Sequence, residues 1–285
     1  GTATLVLTGA TTAEAGSYDV VVSGTCSSSV TSTAVTVTVN PTPTITAQPV
    51  ARTVCQNTPN SFTVATSVGS PTYQWQYATS PITTWTNTNS LVGVTGSTSN
   101  TLSWMVTPLS HTNLNFRCIV TGANGCATTS NVALLNVNPT PTVGSVSANQ
   151  AICIGGFPDD DITVSSANGT IQWQQADNTG FTANLTNLGT NSTTLTIAEI
   201  GELTTTKYYR AVVSSGACTS VTSGTIAVAA ATTTWTSAAG GSWSNGAPNS
   251  KTAAVISYDY TSLEDLNACS LTVTNGANVI MSSGD

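Results

Sequence analysis

Basic residues are almost missing. The 285-residue chain has five Lys and Arg together, one His and a formal net charge of −7. A protein that neutralises phosphates needs a Lys/Arg footprint, so nucleic acid is not an expected partner. The same shortage excludes a polybasic lipid-binding patch. No apolar run is long enough to span a bilayer, and no secretory leader opens the sequence, so membrane insertion is not expected of this stretch. Gly1 falls inside a strand-like pattern, which reads as a cut in a longer chain. Cys-x-x-Cys is absent, and His111 has no His or Cys at ligand spacing. No metal or other cofactor is therefore expected.

Thr is plentiful, at about a fifth of the chain, and charged residues make up only 6 %. Thr and Val favour pleated, half-buried surfaces. With 39 % hydrophobic residues there is enough apolar side chain to form cores. Seven cysteines fit an oxidising, extracellular setting.

One hexapeptide occurs twice. Val39-Asn40-Pro41-Thr42-Pro43-Thr44 returns as Val137-Asn138-Pro139-Thr140-Pro141-Thr142, 98 residues further on. Proline fixes φ and lacks an N–H, so Pro-Thr-Pro interrupts strands and makes a short stiff spacer. The period is the size of one immunoglobulin-like sandwich. The expected class is all-β: tandem Ig-like sandwiches followed by a partial, solenoid-like β-rich module. The expected division is 1–40 (the second half of a sandwich, strands E to G), 41–138 and 139–228 (whole sandwiches), and 229–285 (the start of the module).

Alternation of apolar and polar residues places the strands. In the second repeat these are Ser61–Ala65, Tyr73–Tyr77, Thr101–Val106, Asn115–Val120 and Val132–Val137. In the third they are Asp161–Val164, Ile171–Gln174, Thr194–Ile197 and Tyr209–Val213, with one helical turn within Ala198–Leu203. Trp75 and Trp173 stand where a sandwich buries its strand-C Trp, and Phe116 and Tyr209 on strand F. Tyr18 fits the corner where a hydroxyl ties strand F to the loop before it. In 1–40, Ala3–Leu7 reads as strand E and Thr33–Val39 as strand G, with strands A to D absent. Past Val228, Ala253–Ile256, Ser270–Val273 and Asn278–Met281 are short and closely spaced, as in the coils of a β-solenoid.

Val54-Cys55-Gln56, Tyr73-Gln74-Trp75-Gln76, Asn124-Gly125-Cys126 and a final Val-Asn-Pro, repeated around Cys153, Gln172-Trp173-Gln174 and Gly216-Ala217-Cys218, resemble the Ig-like repeats of large secreted Bacteroidota proteins. Thr234-Trp235, Ser242-Trp243-Ser244-Asn245-Gly246-Ala247-Pro248 and Ala268-Cys269-Ser270 resemble a β-rich module of flavobacterial surface proteins. The resemblance implies type IX secretion and a role in cell-surface adhesion, gliding included, or as an appendage of a secreted polysaccharide-degrading enzyme. The expected reading is a non-enzymatic stalk segment of an adhesin. Its partners would be neighbouring domains of the same long chain, and surface glycans or other cell-surface proteins.

The cysteines carry the strongest chemical signal. One pair per repeat, Cys55 with Cys126 and Cys153 with Cys218, suggests a bond within each repeat. Against this, the two turns involved lie at opposite ends of a sandwich, while bonded Cα atoms lie within about 7 Å. A staple across the junction, such as Cys55 to Cys218, is the alternative, and free thiols are a third. Cys118 reads as a small buried residue rather than a nucleophile paired with His111. Asp159-Asp160-Asp161 lacks calcium-loop spacing and reads as a solvated turn. Glu199 with Glu202, or Asp259, Glu264 and Asp265, have nothing to place them across a glycosidase cleft. Trp235 and Trp243, with Trp85, Tyr258 and Tyr260, are the candidate sugar-stacking residues.

Overall fold

The computed structural model describes the chain except residues 1–3, 26, 68, 190, 237–240, 263–265, 275 and 282–285. The chain folds into two compact units, Gly1–Asn138 and Pro139–Asp285.

The N-terminal unit begins with two short antiparallel ladders: β1 (Gly16–Tyr18) with β4 (Val35–Val37), and β2 (Val21–Gly24) with β3 (Ser27–Thr31). The Tyr18 hydroxyl donates to the Glu14 carbonyl at 2.7 Å, closing the corner before the strand. Thr4–Leu7 is not a strand, contrary to the strand E expected over Ala3–Leu7. A strand E needs a strand B to pair with, and none lies beside it among the described residues.

Repeat two follows, with β5 (Ile45–Ala47), β6 (Arg52–Cys55), β7 (Asn60–Thr63), β8 (Ala65–Thr66), β9 (Thr72–Thr79), β10 (Thr86–Asn87), β11 (Val94–Thr95), β12 (Thr101–Trp104), β13 (Leu114–Thr121), β14 (Ala127–Thr129) and β15 (Ala133–Asn138). One sheet runs β10-β9-β13-β15-β6, with β14 on β13, and the other runs β11-β12-β7. Along β13 every second residue, Leu114, Phe116, Cys118 and Val120, is buried, which is the period of a half-buried strand. Trp75, Phe116 and Leu135 of the first sheet pack on Phe62, Leu102 and Trp104 of the second. The rings of Phe62 and Phe116 lie 5.2 Å apart, and Trp104 meets Phe116 edge to face at 5.2 Å. Trp75 satisfies its buried indole N–H on the Ser99 carbonyl at 2.9 Å. The Pro linker is docked on its own repeat: Pro43 is buried, and its carbonyl accepts from the Thr128 hydroxyl at 2.6 Å.

In the second unit, repeat three contains β16 (Thr142–Val143), β17 (Gln150–Ile152), β18 (Ile162–Thr163), β19 (Ala167–Asn168), β20 (Thr170–Ala176), β21 (Thr186–Leu188), β22 (Thr194–Leu195), β23 (Lys207–Ser215), β24 (Cys218–Thr222) and β25 (Ile226–Ala230). The main sheet, β17-β25-β23-β20-β21, matches that of repeat two, and β18 pairs with β22 opposite it. Trp173, Tyr209, Val213, Ile162 and Leu195 fill its core. The expected helical turn is α1 (Ile197–Ile200). Thr196 and Glu199 form its capping box, in which the Thr196 N–H donates to the Glu199 carboxylate and the Glu199 N–H to the Thr196 hydroxyl.

After β25 the strand ladders among the described residues are all parallel. β26 (Thr232–Trp235), β27 (Ala253–Ile256) and β29 (Ser270–Val273) stack in one parallel ladder. β28 (Tyr260–Ser262) and β30 (Val279–Met281) form a second. Thr233 of β26 and Ala254 and Ile256 of β27 are buried. Thr233 is fully enclosed, yet its hydroxyl donates to the Gly246 carbonyl at 2.9 Å and accepts from the Asn245 N–H at 3.2 Å.

Candidate functional site: cysteine-bearing repeat ends and an aromatic cluster

Each repeat places its two cysteines at opposite ends of the main sheet. In repeat two, Cys55 ends β6 opposite Asn138 of β15. Cys126 lies past the other end, next to Ala127, which faces Thr121. The seven steps of β13 from Leu114 to Thr121 separate these ends by about 23 Å, three times disulfide reach. The expected Cys55–Cys126 bond is therefore not formed: Cys126 carries a free thiol. The expected Cys153–Cys218 bond fails for the same reason. Cys218 faces Ser215 at one end of β23, and Cys153 follows Ile152, which faces Ala230 at the other.

Cys153 instead bonds to Cys269, 116 residues on, with Cα atoms 5.9 Å apart. Cys269 stands just before β29, and its N–H donates to the Thr252 carbonyl at 3.2 Å. Backbone bonds support the same joint: Ala231 N–H to the Ile152 carbonyl at 3.4 Å, and Ala253 N–H to the Ala231 carbonyl at 3.0 Å. Lys251 adds an ion pair to Asp159. The third repeat and the parallel ladders are thus one covalently closed piece. Sequence reasoning missed Cys269; the available signal was its place beside the predicted strand at Ser270. Cys55 and Cys218 are also oxidised.

The remaining reactive-looking groups have structural work. Cys118 is fully buried, and burial pushes its thiol up to about 12, so it stays protonated. His111 is buried, and its Nδ1 accepts from the Trp104 indole N–H at 2.9 Å. Asp161 accepts from the Ile197 N–H at 2.8 Å, capping α1, and Gln150 Oε1 accepts from the N–H groups of Asp159 and Asp160. The Glu199 carboxyl is held below its usual range by the Thr196 backbone N–H and then the Thr196 hydroxyl. Asp259 accepts from the Asn278 N–H at 2.8 Å. Glu264 and Asp265 lie outside the described residues. Among the described residues, no three His, Cys, Asp or Glu side chains are grouped to hold a metal.

The aromatic candidates do not form one platform. Trp235, Trp243 and Tyr260 meet edge to face, with centroids 4.8 to 5.5 Å apart, so their faces are largely occupied by one another. Tyr258 is exposed. Trp85, in the other unit, lies under the Arg117 guanidinium at 4.2 Å. Arg117 Nε donates to Gln76, and Gln76 donates to Asn87. Repeat three rebuilds this clasp with Arg210 over Phe181 at 4.1 Å, Gln174 and Asn187.

His111 makes a pH prediction. Burial holds its pKa below the ordinary value of 6.5. Between that lowered pKa and 6.5, the unfolded state binds more protons, so stability rises with pH. The contribution is complete above 6.5 and is lost as pH falls below it, because a protonated Nδ1 would aim N–H at N–H. The urea midpoint of repeat two should fall between about pH 6.5 and 5, and His111→Gln should flatten that slope. A wild-type midpoint constant over this range would contradict the assignment.

Residues 142–232 match a family described as a domain of unknown function (DUF8696). No curated protein matches the chain. Among solved structures, the N-terminal eight Ig domains of Down Syndrome Cell Adhesion Molecule align with a TM-score of 0.57 and 16 % identity, over 76 % of this chain and 28 % of that one. Domains 3–5 of Drosophila OTK align at 0.47 and 16 % identity, over 76 % and 72 %. The titin I-band fragment I67-I69 aligns at 0.41 and 10 % identity, over 67 % and 66 %. The chain thus spans little more than a quarter of the adhesion-molecule fragment. The likeness establishes the fold: this is an all-β, Ig-like chain.

Proposed function

We propose that the chain is a structural stalk segment of a large secreted or cell-surface adhesin, holding a distal binding region away from the cell. Four modules, 1–40, 41–138, 139–228 and 229–285, divide the work, and the last is the start of a β-solenoid. The observation that carries this reading is the Cys153–Cys269 bond, which joins one module to the next rather than stapling a single core. A cross-link there resists separation of modules under load and belongs to an oxidising, extracellular compartment. Among the described residues Asp161, Glu199, Asp259, His111 and Cys118 are engaged in caps, loops and cores, which supports a non-enzymatic role. The sequence resemblance supports type IX export from a flavobacterial cell, with attachment or gliding as the process served.

Printed glycan arrays test the rival role as a carbohydrate-binding appendage. The 285-residue chain should bind none above background, because the Trp235–Trp243–Tyr260 cluster spends its ring faces internally. Saturable binding abolished by Trp243→Ala would replace the stalk reading with the appendage.

A further inference from the structure

The N-terminal ladders are register copies of a sheet whose other half is not among the described residues. Gly16, Ser17 and Tyr18 face Val37, Thr36 and Val35, as Leu114, Asn115 and Phe116 face Leu135, Leu134 and Ala133 one period later. The Val20 N–H donates to the Ser32 hydroxyl at 3.1 Å, as the Cys118 N–H donates to the Ser130 hydroxyl at 2.9 Å. Val20 and Val22 therefore occupy the places of Cys118 and Val120. The latter two are 0 % exposed; Val20 and Val22 are 57 % and 65 % exposed. With Leu5 and Val35 they form an apolar groove with nothing over it among the described residues.

The two whole repeats show what such a face carries. A strand with Gln-Trp-Gln pairs along strand F, as β9 does with β13 and β20 with β23. A further strand runs parallel to strand G and ends at a cysteine: β6 places Cys55 opposite Asn138. One period earlier, the residue opposite is Asn40. The Cys126 sulfur lies 3.7 Å from the Asn40 carbonyl. A strand paired there stands about 4.8 Å from Asn40, which brings its terminal cysteine within disulfide reach of Cys126. Cys218, at the same place in repeat three, contacts the Pro139 carbonyl at 3.3 Å and is oxidised.

We propose that the 1–40 face is completed by the first half of its own Ig-like repeat, strands A to D of the same polypeptide ahead of Gly1, and that this segment ends its G-paired strand in a cysteine bonded to Cys126. The occupant is a segment of the same chain rather than a second copy, because a second copy has no unpaired Gln-Trp-Gln strand or cysteine-bearing parallel strand to lend. The bond forms by thiol–disulfide exchange with a donor disulfide. The Cys126 thiolate attacks one donor sulfur and displaces the other as a thiolate, the partner thiolate then attacks the Cys126 sulfur and displaces the remaining donor thiolate, and the donor leaves as two thiols.

Protein taken from its native source under alkylating conditions and mapped by non-reducing mass spectrometry tests this inference without assuming a stalk role. The expected result is a Cys126 peptide linked to a peptide that precedes Gly1 in the same chain. Alkylated Cys126, a Cys126–Cys126 link between copies, or a link to another protein would each overturn it. Amide exchange supplies the second arm. Asp19 to Val22 should exchange rapidly in the 285-residue chain and at least about 100-fold more slowly in the native protein. Strong protection in the 285-residue monomer would overturn the proposal.

Discussion

Cys269→Ser is expected to lower the stability of the Pro139–Asp285 unit by about 4–5 kcal/mol. The bond closes a loop with a sequence separation of 116, and restricting a loop of that length in the unfolded chain has an effect of that size. Cys153→Ser should give the same loss, because either change removes the same bond. Urea unfolding followed by tryptophan emission measures it, with Trp173, Trp235 and Trp243 as reporters in this unit. Under reductant, the difference between wild type and variant should disappear. Equal midpoints for oxidised wild type and Cys269→Ser would show that the bond does not stabilise the unit.

Trp75→Ala and Trp173→Ala should each cost about 3–5 kcal/mol and act on different cores. Both rings are fully buried. Trp75 belongs to the cluster with Phe62, Trp104 and Phe116, and Trp173 to that with Ile162, Leu195 and Tyr209. Each truncation also removes an indole donor from a loop carbonyl, Ser99 in one case and Ser192 in the other. Separate cores predict that Trp75→Ala moves the transition of repeat two and leaves that of repeat three in place, and the converse for Trp173→Ala. Equal shifts of both transitions by either change would contradict separate cores.

Most of the strand pattern is legible in the sequence because side-chain alternation reports burial directly. Leu114–Thr121 alternates along its length and Lys207–Ser215 does so from Tyr209 to Val213, and there the alternation assigns residues to faces; in Thr72–Thr79 the buried residues are Trp75 and Ala78, three apart, so alternation alone does not. Strand E of 1–40 misleads because alternation records a side chain's suitability for a strand, not the presence of a neighbour. Thr4–Leu7 keeps the pattern but has no ladder. The cysteine bonds are harder. Their separations suggest loops of similar size within each repeat, whereas distance in the fold depends on strand direction. The sandwich order already raises the objection that the two cysteines of a repeat lie at opposite ends, and β6 running parallel to β15, and β17 to β25, places them there; what the spacing does not indicate is Cys269 as the partner of Cys153. The Arg–aromatic clasps are hidden for a similar reason. Arg117 and Gln76 are 41 residues apart and become neighbours only through the β9–β13 register.

Exchanging residues 41–228 in the native protein for two unrelated Ig-like sandwiches of equal total length tests the stalk assignment most directly. If the segment is a spacer, attachment of cells carrying the exchanged protein should match wild type, while deletion of the same residues should reduce it. If the exchange abolishes attachment with surface display unchanged, the binding site lies in these repeats and the stalk assignment is wrong.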